Sequence, residues 1–262
     1  MAMTCSELPT LRTAQTEPAT ARDYAGQLAA IASGLAAAQD EAQALHVLEV
    51  VASSMGLAAA AFVSFVRDDA SHESFRFLLA CDPVWCFEYE QRAWYDTDPW
   101  LAYARSHSEP VRGCDITSES EQQRSIMALA QDYGFRSSLI VPAPSSGNLT
   151  RMGVLCLGSA TPDFFDGEGY LVLKLVARGL AMELHGWWIE RIKREVMVQA
   201  HLTDEDLALL AHERRGVGTK LMASKLRMSP HAINSRFQRM NARLGVPNRK
   251  AAAQLAAEYG LI

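Results

Sequence analysis

The sequence predicts an α+β domain followed by an all-α bundle, and three observations carry that prediction. Residues 23–165 hold both helix-length segments and short apolar runs of strand length, the runs falling in neighbouring pairs. Residues 202–262 hold four helix-periodic segments with their own start and stop signals. The charge divides at the same place. Residues 202–262 carry ten Lys/Arg against five Asp/Glu, a net of +5, and residues 1–201 carry fifteen against twenty-five, a net of −10. The whole-chain value of −5 argues against a nucleic-acid binder, and the split reverses that for the C-terminal part. The expected organisation is a flexible extension at 1–22, an α–β–α sandwich at 23–190, a linker at 191–201 and a four-helix bundle at 202–262. Hydrophobic content of 49% and charged content of 21% are those of a globular chain.

In chain order, 23–38 and 40–55 read as two helices, the second with Ala44, Leu45, Leu48, Val51 and Ala52 on one side. The apolar run Ala59–Phe65 is a strand that can pair with Ser74–Leu79 across the charged turn Arg67–Ser71. A helix follows at Glu119–Tyr133. Ser138–Val141 and Gly153–Leu157 read as buried strands around the turn material Pro144–Asn148. From Asp166 to about Val198 a long helix has Val172, Val176, Leu180, Leu184 and Trp188 at spacing four, with Trp187 off that stripe, and a hinge is expected near Gln199–His201.

The C-terminal stretch Ser229–Val246 is the most informative. Ser229 suits an N-cap, and Pro230 suits the first helical position, where its missing N–H costs nothing. Ile233, Phe237, Met240 and Leu244 fall on one face, and Gly245 ends the helix. The opposite face holds His231, Asn234, Ser235, Gln238, Arg239 and Arg243, side chains able to reach phosphates and base edges. Thr219–Leu226 precedes it, joined through Arg227 and Met228, as in a helix-turn-helix. Thr203 with Asp206 is a capping-box pattern for a helix before that, and Asn248–Tyr259 closes the bundle.

This order resembles the LuxR-type helix-turn-helix domain through Leu202-Thr203, Leu210, Gly216, Ala223, Leu226, Ser229, Ile233, Leu244-Gly245-Val246, Asn248-Arg249 and Gly260-Leu261-Ile262. The family's Arg-Glu pair is Glu205-Asp206 here, its Thr-Val is Ala232-Ile233, and its Lys and His further along are Asn234 and Arg236. The resemblance implies binding to a palindromic double-stranded DNA site as a homodimer. His231, Asn234, Ser235 and Gln238 are the expected base or groove contacts. Lys220, Arg236, Arg239, Arg243 and Arg249 are the expected phosphate contacts.

The second informative block is Cys81–Trp100, CDPVWCFEYEQRAWYDTDPW. Trp85 and Tyr89 are four apart and share a helix face. They are either a core stripe or the wall of an apolar pocket with a few placed polar groups. Asp98 can cap a helix, accept a ligand N–H, or do both. A hydrogen bond to a charged acceptor is worth roughly 1.5–3 kcal/mol. Trp85, Tyr89 and Asp98-Pro99 resemble the motif of the autoinducer-binding domain. That resemblance implies an acyl-homoserine lactone or related amide, with the Trp donating to the lactone carbonyl and the Asp accepting from the amide. Trp100 belongs to the same expected pocket, together with three departures from the family pattern. A pocket aromatic is Cys81, a Trp over the head group is Gly113, and a late-strand Ser or Thr is Cys156. Ser138 stands where the family has Gly. Gly113 should widen the cavity, while Cys81 and Cys156 are poorer hydrogen-bonding groups.

The sequence therefore predicts a small-molecule-controlled transcriptional regulator of the quorum-sensing LuxR type, without catalytic residues, metal or cofactor. The alternative is a regulator that needs no ligand or answers a non-lactone molecule, and a lactone hydrolase is a more distant reading. His46, His72, His107 and His185 are scattered, with no nucleophile elbow or HExxH. The N-terminal half lacks the strand–helix alternation and paired acids of a phosphorylated receiver. Five cysteines without a CxxC pair read as reduced thiols of a cytoplasmic protein. No apolar stretch reaches the roughly eighteen residues of a membrane span.

Overall fold

Antiparallel pairing organises the first part of the computed structural model, which describes residues 18–66, 75–145, 151–167 and 169–262. Strands β1 (Ala59–Val66), β2 (Arg76–Ala80), β3 (Val111–Arg112), β4 (Ser137–Ala143) and β5 (Arg151–Ser159) form one sheet in the order β2-β1-β5-β4-β3. The expected hairpin is present, with Ala60 opposite Ala80 and Ser64 opposite Arg76; its turn lies outside the described residues, as do 146–150. β4 and β5 pair from Ser137↔Ser159 to Ala143↔Gly153.

Helices lie on both faces of the sheet. Alternate residues of β1, from Ala59 to Phe65, enter a core with Trp85, Trp100, Ile126 and Ala130. Those come from α3 (Pro83–Gln91), α4 (Pro99–Ser106) and α5 (Glu121–Asp132). On the other face, Phe62 reaches toward Gly153. A Cβ at Gly153 would stand 2.5 Å from the Phe62 ring and 3.2 Å from His185 of α6 (Tyr170–Gln199), so only glycine fits there. α1 (Pro18–Ala32) packs on α2 (Glu41–Ser54), and α2 packs on β1 and β2.

Several boundaries differ from expectation. α1 begins at Pro18, inside the segment expected to be a flexible extension, because proline followed by alanine opens a helix readily. Residues 1–17 lie outside the description. The helix gives way to a 3₁₀ turn at Ser33–Ala37, where Ser33 donates its hydroxyl to the Ala30 carbonyl and Gly34 weakens helix propensity. α6 runs through Gln199, so most of the expected linker is helix. The chain leaves it at Ala200 and His201, whose φ of 45° is left-handed.

The chain divides into two units, the first made of the residues up to Pro144 with Met152–His185 and the second of Ser145–Arg151 with Gly186–Ile262. In the second, α7 (Asp204–Arg214), α8 (Thr219–Leu226), α9 (Pro230–Leu244) and α10 (Arg249–Glu258) enclose a core of Leu209, Leu210, Met222, Ile233, Phe237 and Ala253. Each expected cap is formed. Thr203 and Asp206 make the capping box, Ser229 Oγ accepts from Ala232 N–H at 3.1 Å, and Gly245 closes α9 at φ 66°. Arg227 takes the left-handed φ of 53° that turns α8 into α9.

Candidate ligand cavity and nucleic-acid interface

Asp82 caps α3 through Val84 N–H at 2.8 Å, and Pro83 occupies the first turn. That fixes the phase of the helix, so Trp85 and Tyr89 turn inward together and are buried. Their ring centroids stand 5.7 Å apart, and Trp94 lies 5.6 Å from Trp85 and edge-on to Tyr89 at 6.2 Å. A left-handed Ala93 and a 3₁₀ turn then bring the chain to Asp98, which is 4% exposed. Asp98 caps the next helix and also takes a second donor from within the chain. Its Oδ1 accepts Trp100 N–H at 2.7 Å and caps α4, and its Oδ2 accepts the Tyr89 hydroxyl at 2.6 Å. Burial raises the Asp98 carboxyl above its ordinary range, and these hydrogen bonds pull the other way. Burial, and then the Asp98 charge, also raise Tyr89.

Trp85, Tyr89, Asp98, Trp100 and Cys156 border one cavity of about 40 Å³. That is room for a few waters, against the roughly 300–1,000 Å³ of a drug-sized site. A carboxylate has about four lone-pair sites, so Asp98 can still accept an N–H beside its two present partners. An acyl ligand must displace aromatic side chains to enter. A second cavity, of about 250 Å³, lies beside Trp100, Gly113, Ser138, Phe135 and Arg136. The Trp100 indole N–H is buried and has no partner among the described residues.

In the second unit, α9 buries Ile233, Phe237 and Met240 and exposes His231, Asn234, Gln238, Arg239 and Arg243. Lys220 is exposed on α8. Arg239 donates to the half-buried Ser235 Oγ at 2.9 Å, and Arg243 donates to the His201 carbonyl at 3.1 Å.

A family model described as the autoinducer binding domain matches residues 40–185. The chain belongs to that family. Its autoinducer-binding domain and the helical bundle together have the fold of SdiA. The SdiA complex with octanoyl-rac-glycerol superposes with a TM-score of 0.66 at 15% identity, covering 91% of this chain and 96% of SdiA. Escherichia coli SdiA in another crystal gives 0.67 at 15% identity, covering 90% and 98%. CepR2 from Burkholderia cenocepacia, a LuxR-family factor dependent on N-acylhomoserine lactone, gives 0.54 at 16% identity over 66% of this chain and 98% of its own. Such identities establish the fold alone. A search of curated proteins finds no significant match.

Within the autoinducer-binding domain, two expected pocket residues lie elsewhere. Gly113 borders the second cavity, because the start of the 3₁₀ turn Gly113–Asp115 brings it against Ser138; a Cβ there would stand 2.0 Å from Ser138 Oγ. The Cys81 sulfur turns to Cys86, 3.5 Å away, so Cys86 borders the first cavity where Cys81 was expected. Val63 and Leu101 also line it, a placement that only the sheet register and the α4 cap determine.

Two expected phosphate contacts are committed internally. The Arg236 side chain is 18% exposed. It donates to Asp206 at 2.9 Å, to Thr203 Oγ1 at 3.0 Å and to Glu205, and the Glu205 bond leads the effects that raise its pKa. The acidic pair that departs from the family pattern therefore anchors α9 to α7. Arg249 pairs with Glu213 at 3.2 Å, donates to Thr219 at 3.0 Å and lies over the Phe237 ring. Lys225 and Arg227 are also exposed, beside the turn between α8 and α9. Trp187 is 8% exposed, edge-on to Trp188 and under the Arg191 guanidinium.

Proposed function

We propose that the protein is a DNA-binding transcriptional regulator controlled by a small acyl molecule. The observation that carries the DNA reading is α9, a capped helix whose apolar side is sunk in its own bundle while His231, Asn234, Gln238 and Arg239 face solvent. That is the arrangement of a helix laid into the major groove. His231, Asn234 and Gln238 read base edges, with Ser235 positioned by Arg239. Lys220, Arg239 and Arg243 neutralise phosphates, and the nearby Lys225 and Arg227 add to them. Membership of the autoinducer-binding family supports a small-molecule signal. SdiA has been crystallised with an acylglycerol, and CepR2 depends on an acyl-homoserine lactone. Both ligands join an acyl chain to a polar head, which suits aromatic walls around the Asp98 acceptor. The protein acts by binding, in the cytoplasm where its DNA is, and no catalytic step is part of the reading.

The homodimer is assigned to α6. Leu171, Leu175 and Met182 are 68%, 71% and 44% exposed along one side of that helix. Gly179 lies among them, and a Cβ on it would meet nothing within 4 Å. A helical glycine costs about 1 kcal/mol relative to alanine. Close approach of a second copy of α6 accounts for keeping it.

The test is the thermal midpoint of the full-length protein with acyl-homoserine lactones and octanoylglycerol, alongside retardation of promoter DNA. A ligand at 100 times its dissociation constant adds about 2.7 kcal/mol to the unit that binds it. A second reading has its own support: the Tyr89–Asp98 bond and the 40 Å³ cavity already satisfy the pocket without a guest. Unchanged melting with every ligand, together with DNA retardation in their absence, selects that ligand-independent regulator. Failure to retard any promoter fragment in dilute salt overturns both readings. Lactone that opens on incubation with the protein restores the hydrolase.

A further inference from the structure

We infer that Cys81 and Cys86 form a modification site for hydroperoxides, closing to a disulfide on the rim of the ligand cavity. The two sulfurs stand 3.5 Å apart across the start of α3. Both thiols are half-buried, which leaves them reachable by a small oxidant. A disulfide needs about 2.0 Å between sulfurs, so side-chain rotation covers most of the remaining distance. The capped turn between them holds the backbone in place while that happens.

Chemistry separates this pair from the other described thiols. The hydrogen bond between the two sulfurs lowers the Cys86 thiol below its ordinary range and raises Cys81, and Cys86 is the one of the two that borders the cavity. Burial raises Cys156, and burial and Asp115 raise the exposed Cys114. Cys86 is therefore the attacking sulfur among the described thiols. Its thiolate attacks a peroxide oxygen. An S–O bond forms, the O–O bond breaks, and the departing hydroxide takes up a proton to become water. The Cys81 sulfur then attacks the Cys86 sulfenic acid. The S–S bond forms, the S–O bond breaks, and the oxygen leaves as a second water with the Cys81 proton. Two thiols are oxidised and one peroxide is reduced.

The closed form ties the residue beside Trp85 to the end of β2. It stands whether the cavity takes a lactone, another acyl molecule or nothing. The experiment treats reduced full-length protein with hydrogen peroxide, followed by thiol titration and peptide mapping by mass spectrometry. The expected result is loss of two of the five thiols, a Cys81–Cys86 linked peptide, and full recovery with dithiothreitol. Cys81→Ser should leave an oxygen adduct on Cys86, and Cys86→Ser should leave Cys81 unreacted at the same dose. Cys114→Ser should form the linked peptide unchanged. Persistence of both thiols at a dose that oxidises Cys114, or a bridge joining Cys114 or two chains, overturns the proposal. The wild-type map decides this even where a variant folds poorly.

Discussion

At the cavity, Asp98 sits almost wholly inside the protein with both oxygens engaged, by the Tyr89 hydroxyl and the Trp100 amide. On α9, the polar groups of interest face outward, and the acids and bases that do pair are the ones fastening the helix down. The two regions use polarity in opposite senses. Asp98 and its two donors satisfy one another and leave little empty volume, so a guest must compete with bonds already made, while the Trp100 indole N–H has no partner among the described residues. Outward ones keep their capacity for a partner that arrives from solvent. A buried polar group left unpaired costs about 1–3 kcal/mol, which explains why the Asp98 carboxylate is paired on both oxygens and the helix face has no need to be.

The largest expected effect comes from removing what lets α9 keep that face outward. Phe237 is buried between the helices of the bundle and carries the Arg249 guanidinium on its ring. Phe237→Ala should destabilise the second unit by about 3–5 kcal/mol through lost burial and a cavity. Denaturant melts followed by circular dichroism should show an early helical transition, with the autoinducer-binding domain melting at its usual midpoint. A single shared transition, shifted as a whole, would show that the two regions do not fold independently and would weaken the contrast.

A smaller effect separates outward cations from committed ones. Arg239→Ala should weaken binding to every DNA sequence about equally and reduce the slope of log affinity against log salt by about 0.9. Arg249→Ala should leave that slope as it is and lower the bundle's melting temperature, because its partners are Glu213, Thr219 and Phe237. Fluorescence anisotropy over a salt series measures both. Equal slope changes for the two variants would return Arg249 to the phosphate contacts.

What was legible in the residues divides along physical range. The caps at Thr203, Ser229 and Asp98 are rules of two or three residues, and each is formed as the pattern predicts. The β1–β2 pairing follows from two apolar runs close together in sequence. The Arg236–Asp206 pair joins residues thirty apart, and only the packing of α9 on α7 creates it. The motif separated Gly113 from Trp85 by sequence distance alone. Which cavity Gly113 borders depends on β3 and β4 lying side by side. Cys81 and Cys86 were close in sequence, yet their contact depends on the phase of α3 relative to β2. Motifs identify which residues matter, and tertiary packing decides which of them remain available.

The smallest effect concerns the sign of the buried charge. In the unfolded chain Asp98 titrates near its ordinary value of 3.8; in the fold burial raises it. Between those two values the folded protein holds more protons than the unfolded one, so stability falls as pH rises through the window. Asp98→Asn keeps the shape and one oxygen to accept the Trp100 N–H of the cap, sets an NH2 donor against the Tyr89 hydroxyl oxygen, and removes the titration. The wild-type melting temperature minus that of Asp98→Asn should therefore shrink, or turn negative, as pH climbs through the raised value, and should be largest in acid below both values. Melts of the two full-length proteins across mildly acidic to neutral buffers read it directly. A difference that grows with pH would mean the hydrogen bonds from Tyr89 and Trp100 outweigh burial, leaving a fully stabilised carboxylate waiting for an N–H donor. Such a site would favour the ligand-controlled reading over the self-satisfied one.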